Sequence, residues 1–419
     1  MLQNRLRTIS AIATLALLSN CSVGQTVGHE LFGLNGSTGS PGAVKSVFGY
    51  VVADEPQAAL VGRAILNNGG NAVDAAVAMG FAQAVTLPSR GGLGGGGACL
   101  IKMPNTKGVM QPPVVLSFPA GIPAATGGSR PAAVPLLARG LLAMQARYGL
   151  LPQQSVIVPA ERLAGGAEVS QALEADLQVV GNALLVDPQA ASIYAPDGHL
   201  LPVGAVFQQS NLATTLENLR VNGVNGLYAS NYATQFAEAA DEVGGGLTAQ
   251  DLINTVPHYA TPDLSRQSGY DIASLPVTPV DAQTTLPASA SFMALDKNGG
   301  TVICVTSMNN LFGTGRFAPG TGVLLAASPR TNPTPQLAGA MAYTGRSHKF
   351  RAAVAGTGQN EAETAVQIGL QNALTGADTQ IPEPGRADII SCPNGVPGGE
   401  ASCSASTAAS GNGLAIGGR

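Results

Sequence analysis

The chain has 419 residues, of which 45% are hydrophobic, so it holds material for a sizeable core and wholesale disorder is excluded. Charged residues are only 11%, with 21 Lys+Arg against 25 Asp+Glu, a formal net charge of −4 and no basic run, which excludes a nucleic-acid binder. The 54 glycines and 28 prolines follow no Gly-X-Y period and so serve loops, and the absence of Trp with 4% aromatics disfavours stacking platforms for sugars or bases.

Residues 1–21 read MLQNRLRTISAIATLALLSNC. Arg5 and Arg7 precede an apolar run from Ile9 to Leu18, too short for a spanning helix, which is the pattern of an export signal. Its end, Leu18-Ser19-Asn20-Cys21, resembles a bacterial lipobox, in which the Cys is lipidated and becomes the mature N-terminus. Asn20 is unusual before such a Cys, and simple secretion is the alternative. The expected address is the periplasm or cell envelope, with the membrane touched only through a lipid on Cys21. No later apolar stretch is long enough to span, which excludes a permease. Residues 22–45 are Gly/Ser-rich and read as a tether.

The folded body is expected to begin near residue 46. Ala58–Asn68 has helical spacing and stops at Gly69-Gly70. Asn71 caps a second helix through Val85, with Asp74 three residues on. A strand is expected over Ala98–Met103, pairing with Val114–Phe118. Helices are expected over Ala133–Tyr148, Ser155–Ala164, Ser170–Val180 and Leu227–Val243. Phe292–Leu295 and Thr301–Ser307 read as strands joined by the turn Asp296–Gly300. Strands follow at Gly322–Ala327 and Lys349–Ala355, then a helix over Asn360–Leu374. The stretch 377–419 is Pro/Gly/Ser-rich and reads as an irregular tail. Within it, Cys392 and Cys403 bracket a Pro/Gly loop and are placed to close a small disulfide ring in an oxidising compartment. Cys99 and Cys304 sit in apolar strand-like runs and read as small buried hydrophobes. Helices and strands in this order suggest a layered α+β protein rather than a Rossmann fold.

The glycine run Gly91-Gly92-Leu93-Gly94-Gly95-Gly96-Gly97 precedes a strand and has no following Lys-Ser/Thr. It reads as a place of close backbone approach rather than a phosphate cradle. His29, His199, His258 and His348 are scattered, and no Cys/His spacing suits a metal; no metal or cofactor is expected.

Ala64-Ile-Leu-Asn-Asn-Gly-Gly-Asn-Ala-Val-Asp-Ala-Ala-Val-Ala78 followed by Pro88-Ser-Arg-Gly-Gly-Leu-Gly-Gly-Gly-Gly97 resembles the first signature of the γ-glutamyltransferases (γ-glutamyltranspeptidases), members of the N-terminal-nucleophile hydrolases. Tyr148-Gly-Leu-Leu-Pro152, Asn225-Gly-Leu-Tyr228, Gly246–Leu252, Asp296-Lys-Asn-Gly299, Phe312-Gly-Thr-Gly315 and Gly320-Thr-Gly-Val323 extend the resemblance, in order, over most of residues 47–375. It implies an αββα four-layer sandwich made from one precursor, with a large-subunit-like region at 46–288 and a small-subunit-like region at 289–376. The precursor cuts itself before a threonine, whose freed α-amino group then serves as its base.

Carried over position by position, the nucleophile falls on Ser289 and its supporting hydroxyl on Ser307, each Ser for the family's Thr with the hydroxyl kept, and the neighbouring amide falls on Asn309. The glycine pair that offers oxyanion donors falls on Gly358 and Gln359. A rival register uses Thr284 or Thr285 and needs an insertion. The recognition groups depart from the pattern. Pro119 stands where a carboxylate-binding Arg is expected. Ala326-Ala327-Ser328-Pro329-Arg330 replaces the acidic ammonium partner, and Gly339-Ala340 lies near the paired serines. Between His258 and Ser289 a long helical insertion is missing. An unpaired ammonium or carboxylate is costly in a desolvated site, so a free γ-glutamyl group is a poor substrate here. Two readings remain: an exported amidohydrolase or transferase with altered choice among γ-glutamyl and other small amides, or a catalytically degenerate envelope-tethered domain.

Overall fold

The computed structural model describes residues 48–124, 127–276, 288–408 and 410–418. Cys21, the tether and the Thr284 and Thr285 alternative lie outside the described residues.

Strand β1 (Gly49–Ala53) leads into helix α1 (Pro56–Asn67), whose Glu55 cap accepts from Ala58 N–H at 2.8 Å. Helix α2 (Ala72–Thr86) opens with the expected capping box between Asn71 and Asp74. The Asp74 carboxylate also accepts from Gln145 Nε2 at 2.7 Å and from Leu151 N–H at 3.0 Å. This signature acid therefore pins the start of α2 to the Tyr148–Leu151 turn. Strands β2 (Gly96–Lys102) and β3 (Val114–Phe118) follow, then helices α3 (Leu137–Tyr148), α4 (Gln153–Ala164), α5 (Gln171–Leu184), α6 (Ser210–Asn222) and α7 (Ser230–Glu242). Three short strands come next: β4 (His258–Ala260), β5 (Asp263–Gln267) and β6 (Tyr270–Ser274). Beyond them lie β7 (Ser289–Asp296), β8 (Thr301–Ser307), β9 (Ala338–Tyr343), β10 (Phe350–Thr357), helix α8 (Ala362–Thr375), β11 (Arg386–Val396), β12 (Ser404–Ser406) and β13 (Leu414–Gly418).

Two large antiparallel sheets are formed among the described residues, in the orders β13-β1-β7-β8-β2-β3-β4 and β12-β11-β10-β9-β6-β5. Their inner faces share one apolar layer that includes Val52, Leu100, Met293, Ile303, Met341, Ala353 and Ile390. Helix α2 covers the outer face of the first sheet, where Gly80 lets Phe292 and Leu141 approach, and α8 covers the second through Val366 and Leu370. The layering is αββα, as the resemblance implies.

Four expectations need correction. The helix expected from Ala133 begins only at Leu137, because residues 132–134 are held extended by bridges from Ala132 to Ala327 and from Val134 to Gly121. The strand expected over Gly322–Ala327 shrinks to Val323–Leu324, paired with Phe317–Ala318 outside both sheets. The tail from residue 377 is not irregular: β11 runs beside β10, and β13 pairs with β1 from Gly49↔Gly418 to Ala53↔Leu414. Cys99 and Cys304 are not free hydrophobes. They are cross-strand partners on β2 and β8, with Cα atoms 4.1 Å apart, and form a disulfide. Cys392 and Cys403 form a second disulfide.

The glycine run explains itself by backbone contact. A Cβ on Gly94 would run into the Leu324 carbonyl, one on Gly95 into the Ser307 carbonyl, and one on Gly97 into the Val305 carbonyl. Arg90 anchors the loop's entry through a buried two-pronged pair with Asp176, at 2.8 and 2.7 Å, to which Ser89 Oγ adds a bond at 2.6 Å.

Candidate active site

Side chains alternate along β7, and because Met293 and Leu295 face the second sheet, so do Ser291 and Ser289. Ser289 is only 2% exposed. The register sets it opposite Ser307 on β8, and Ser307 opposite Gly96 on β2. Ser289, Ser307 and Gly96 thus form one row across three strands.

The peptide junction before Ser289 is held at both ends. Ser307 Oγ donates to the Ala288 carbonyl oxygen at 2.7 Å, and the Met308 N–H donates to the same oxygen at 3.3 Å. The Ala288 N–H donates to Gln359 Oε1 at 3.3 Å. Asn309 N–H donates to Ser307 Oγ at 2.8 Å, so that hydroxyl accepts from one side and spends its single hydrogen on Ala288. Asn309 Nδ2 is fixed on the Ala327 carbonyl at 2.8 Å. Among the described residues, Ser289 Oγ, Asn309 Oδ1 and Gln359 Nε2 are buried without a hydrogen-bond partner. Buried polar groups are normally paired, so three orphans gathered near one peptide mark a site.

The backbone carries strain at the same place. Asn309 and Gln359 hold φ of 62° and 57°, in the left-handed region. Gly358 lies at φ 110°, where a Cβ would run into the Pro384 carbonyl. Sequence reasoning expects backbone donors from Gly358 and Gln359; what meets the junction here is the Gln359 side-chain amide. The structure thus brings together Ser289, Ser307, Asn309 and Gln359. Cys392 and Cys403 lie apart, the first on β11 and the second just before β12.

Below Ser289 lies a polar group that sequence reading passes over. Asp54, just past β1, accepts from Ser291 N–H at 2.7 Å, and Asp388 on β11 accepts from Ser291 Oγ at 3.2 Å. Burial pushes both carboxyls up from 3.8, and in Asp388 the neighbouring Asp54 charge adds to the rise; Arg386 works against both. Asp388 had no signal in the sequence, because it sits in the stretch that reads as a tail. The Met308 donor is a backbone group and leaves no compositional trace.

Among the described residues no group of His, Cys, Asp and Glu is arranged to hold a metal ion, and no helix is long and apolar enough to cross a membrane.

The αββα layering, with a hydroxyl residue opening an inner strand, defines the fold of the N-terminal-nucleophile hydrolases. The chain belongs to the Gamma-glutamyltranspeptidase family, which matches residues 58–111 and 118–286. It is 34% identical over 254 residues to the glutathione hydrolase proenzyme of Escherichia coli (strain K12), covering 56% of this chain and 43% of that one. It is 27% identical over 234 residues to the capsule biosynthesis protein CapD proenzyme of Bacillus anthracis, covering 55% and 42%. The chain therefore spans less than half the length of these relatives. A cephalosporin acylase from Bacillus halodurans superposes with a TM-score of 0.70 over 91% of this chain and 98% of its own, at 17% identity, a likeness of fold.

Proposed function

We propose that this chain is the precursor of an exported N-terminal-nucleophile amidohydrolase that cuts itself between Ala288 and Ser289. The reading rests on one observation: the Ala288 carbonyl oxygen lies between the Ser307 hydroxyl and the Met308 N–H, and the unpartnered Ser289 hydroxyl belongs to the next residue. Two donors on that oxygen are what an attack on its carbon needs. Ser289 Oγ adds to the Ala288 carbon, its proton passes to the Ser289 nitrogen, and the C–N bond breaks to leave an ester and a free α-amine. Water then hydrolyses the ester, giving the Ala288 carboxylate and restoring the Ser289 hydroxyl. The new α-amine is positioned as the base for that hydroxyl when a substrate amide takes the place of Ala288. Ser307 and the Met308 N–H would then hold the substrate oxygen, Asn309 would fix Ser307, and Gln359, which holds the Ala288 N–H, would face the acyl side of the substrate.

Two matched relatives are named proenzymes, which supports reading this chain as a precursor. The large-subunit-like part would run from 46 to 288 and the rest from 289 onward. Export through the 1–21 signal, with lipid on Cys21, agrees with two disulfides in the body. Substrates are small amides; γ-glutamyl compounds are disfavoured by Pro119 and by the missing acid after Leu325.

Mass spectrometry of the purified, reduced protein after prolonged incubation, beside Ser289→Ala, tests this. Two fragments meeting at Ala288/Ser289, absent in the variant, are expected. Fragments ending before Thr284 or Thr285 would move the nucleophile. One uncut mass in both samples would favour the degenerate domain, the reading that the lost recognition groups support.

A further inference from the structure

We infer that the acyl group accepted by this site is uncharged and largely apolar, and that it lies in a cavity of about 400 Å³ between the two sheets. The inference rests on the amidohydrolase reading and names its substrate class. The cavity's place follows from the register. Gly96 stands in the row of Ser289 and Ser307, and a Cβ on it would meet the Pro119 backbone carbon at 2.6 Å. Pro119 therefore extends that row, and it lines the cavity together with Ala98 and Val115 from the inner face of the first sheet. The opposite wall is Leu275 and Leu337, at the ends of β6 and β9 in the second sheet.

The chemistry of this wall decides the ligand. Its lining holds no Lys, Arg, Asp or Glu among the described residues, and His258 is its one titratable side chain. An ammonium placed there would give up water and find no Asp or Glu, and a carboxylate would find no Lys or Arg, so burying either charge is disfavoured. An alkyl or aryl group gains by the same burial. The volume falls within the range of about 300–1,000 Å³ usual for small-molecule sites, so a medium-length acyl chain fits. The polar Ser117 and Gln336 in the lining can take up a neutral oxygen or amide on that group, but neither neutralises a charge.

The test uses the self-cleaved protein with three p-nitroanilides carrying octanoyl, phenylacetyl or γ-glutamyl groups. Either apolar amide is expected to exceed the γ-glutamyl amide in kcat/KM by at least about tenfold. Pro119→Arg, which returns a cation to the wall, is expected to narrow that ratio. Ala260→Phe, which fills the far end, is expected to lower the octanoyl rate relative to an acetyl amide, with circular dichroism confirming that the variant folds. A mature protein that prefers the γ-glutamyl amide, or turns over none of the three, overturns the inference and leaves the amidohydrolase reading standing. A protein that neither cuts itself nor turns over any amide overturns both.

Discussion

The Ser291 hydroxyl donates across the gap between the sheets to Asp388 at 3.2 Å, while the Ser291 N–H binds Asp54 on its own sheet at 2.7 Å. One residue thus bridges two buried carboxyls from different sheets, one strand turn below Ser289. With Arg386 as the near cation, and Arg90 acting on Asp54 from its pair with Asp176, both carboxyls cannot ionise cheaply.

Stability should therefore fall as the pH rises. Burial lifts both pKa values above 3.8, so the folded protein keeps a proton that the unfolded chain releases. That contribution is full below 3.8 and is lost as the pH climbs through the raised values of the folded state. Asp388→Asn keeps an acceptor for Ser291 and removes one charge. Melting temperatures measured from about pH 4 to about pH 8 should decline less steeply in the variant. Parallel curves would mean that the two carboxyls do not share the burden.

The Arg90–Asp176 pair offers a sharper contrast. Both groups are buried, so Asp176→Ala leaves a guanidinium without its counter-charge and should cost about 3–5 kcal/mol in urea unfolding. Replacing both together, Arg90→Met with Asp176→Leu, should cost far less. Equal losses in the single and double variants would show that packing, not charge, is what the pair supplies.

The loop that Arg90 anchors can be tested at one methyl group. Gly95→Ala drives a Cβ into the Ser307 carbonyl, and the strand end carrying Ser307 must move. Gly127→Ala serves as the control, since nothing lies within 4 Å of the added carbon. Slowed self-cleavage in the first variant and an unchanged rate in the second are expected. Equal rates would remove the glycine run from any role in placing Ser307.

Some of this was legible because it is local. Asn71 and Asp74 announce their helix by a capping pattern three residues long, and the Asp296–Gly300 turn is written in its own residues. Its Asp296 carboxylate accepts from Asn298 N–H at 2.9 Å and Gly300 N–H at 3.0 Å. The rest depends on partners far along the chain. Residues 414–418 are unremarkable until β1 offers them an edge, and Asp388 has no meaning until Ser291 reaches it from 97 residues away. Ser289 was reachable only by counting back from Asp296, whereas its environment is built by a backbone donor, a strained amide and a carbonyl. None of these has a sequence pattern.

Ser307 separates support of the junction from mere packing. Ser307→Ala removes the closer of the two donors on the Ala288 carbonyl and should slow self-cleavage by about 10²–10³-fold. Ser307→Thr keeps the hydroxyl and should retain most of the rate. If both variants cut equally slowly while melting like the parent, the hydroxyl is not what activates the junction.

The disulfide between Cys99 and Cys304 joins the two sides of that cut. Their positions are 205 residues apart in sequence, and the Ala288–Ser289 junction falls between them. Cleavage would therefore yield two chains that remain covalently tied through β2 and β8. Without reductant the intact mass should change only by the water added in hydrolysis, and electrophoresis should show one band. With reductant two bands should separate in the matured protein and one should remain in Ser289→Ala. Cys392 and Cys403 lie on the same side of the junction and cannot produce this pattern. Matured halves that separate without reductant would show that the tie is absent in the mature protein. The two strands would then be held together by their ladder and the inter-sheet core alone.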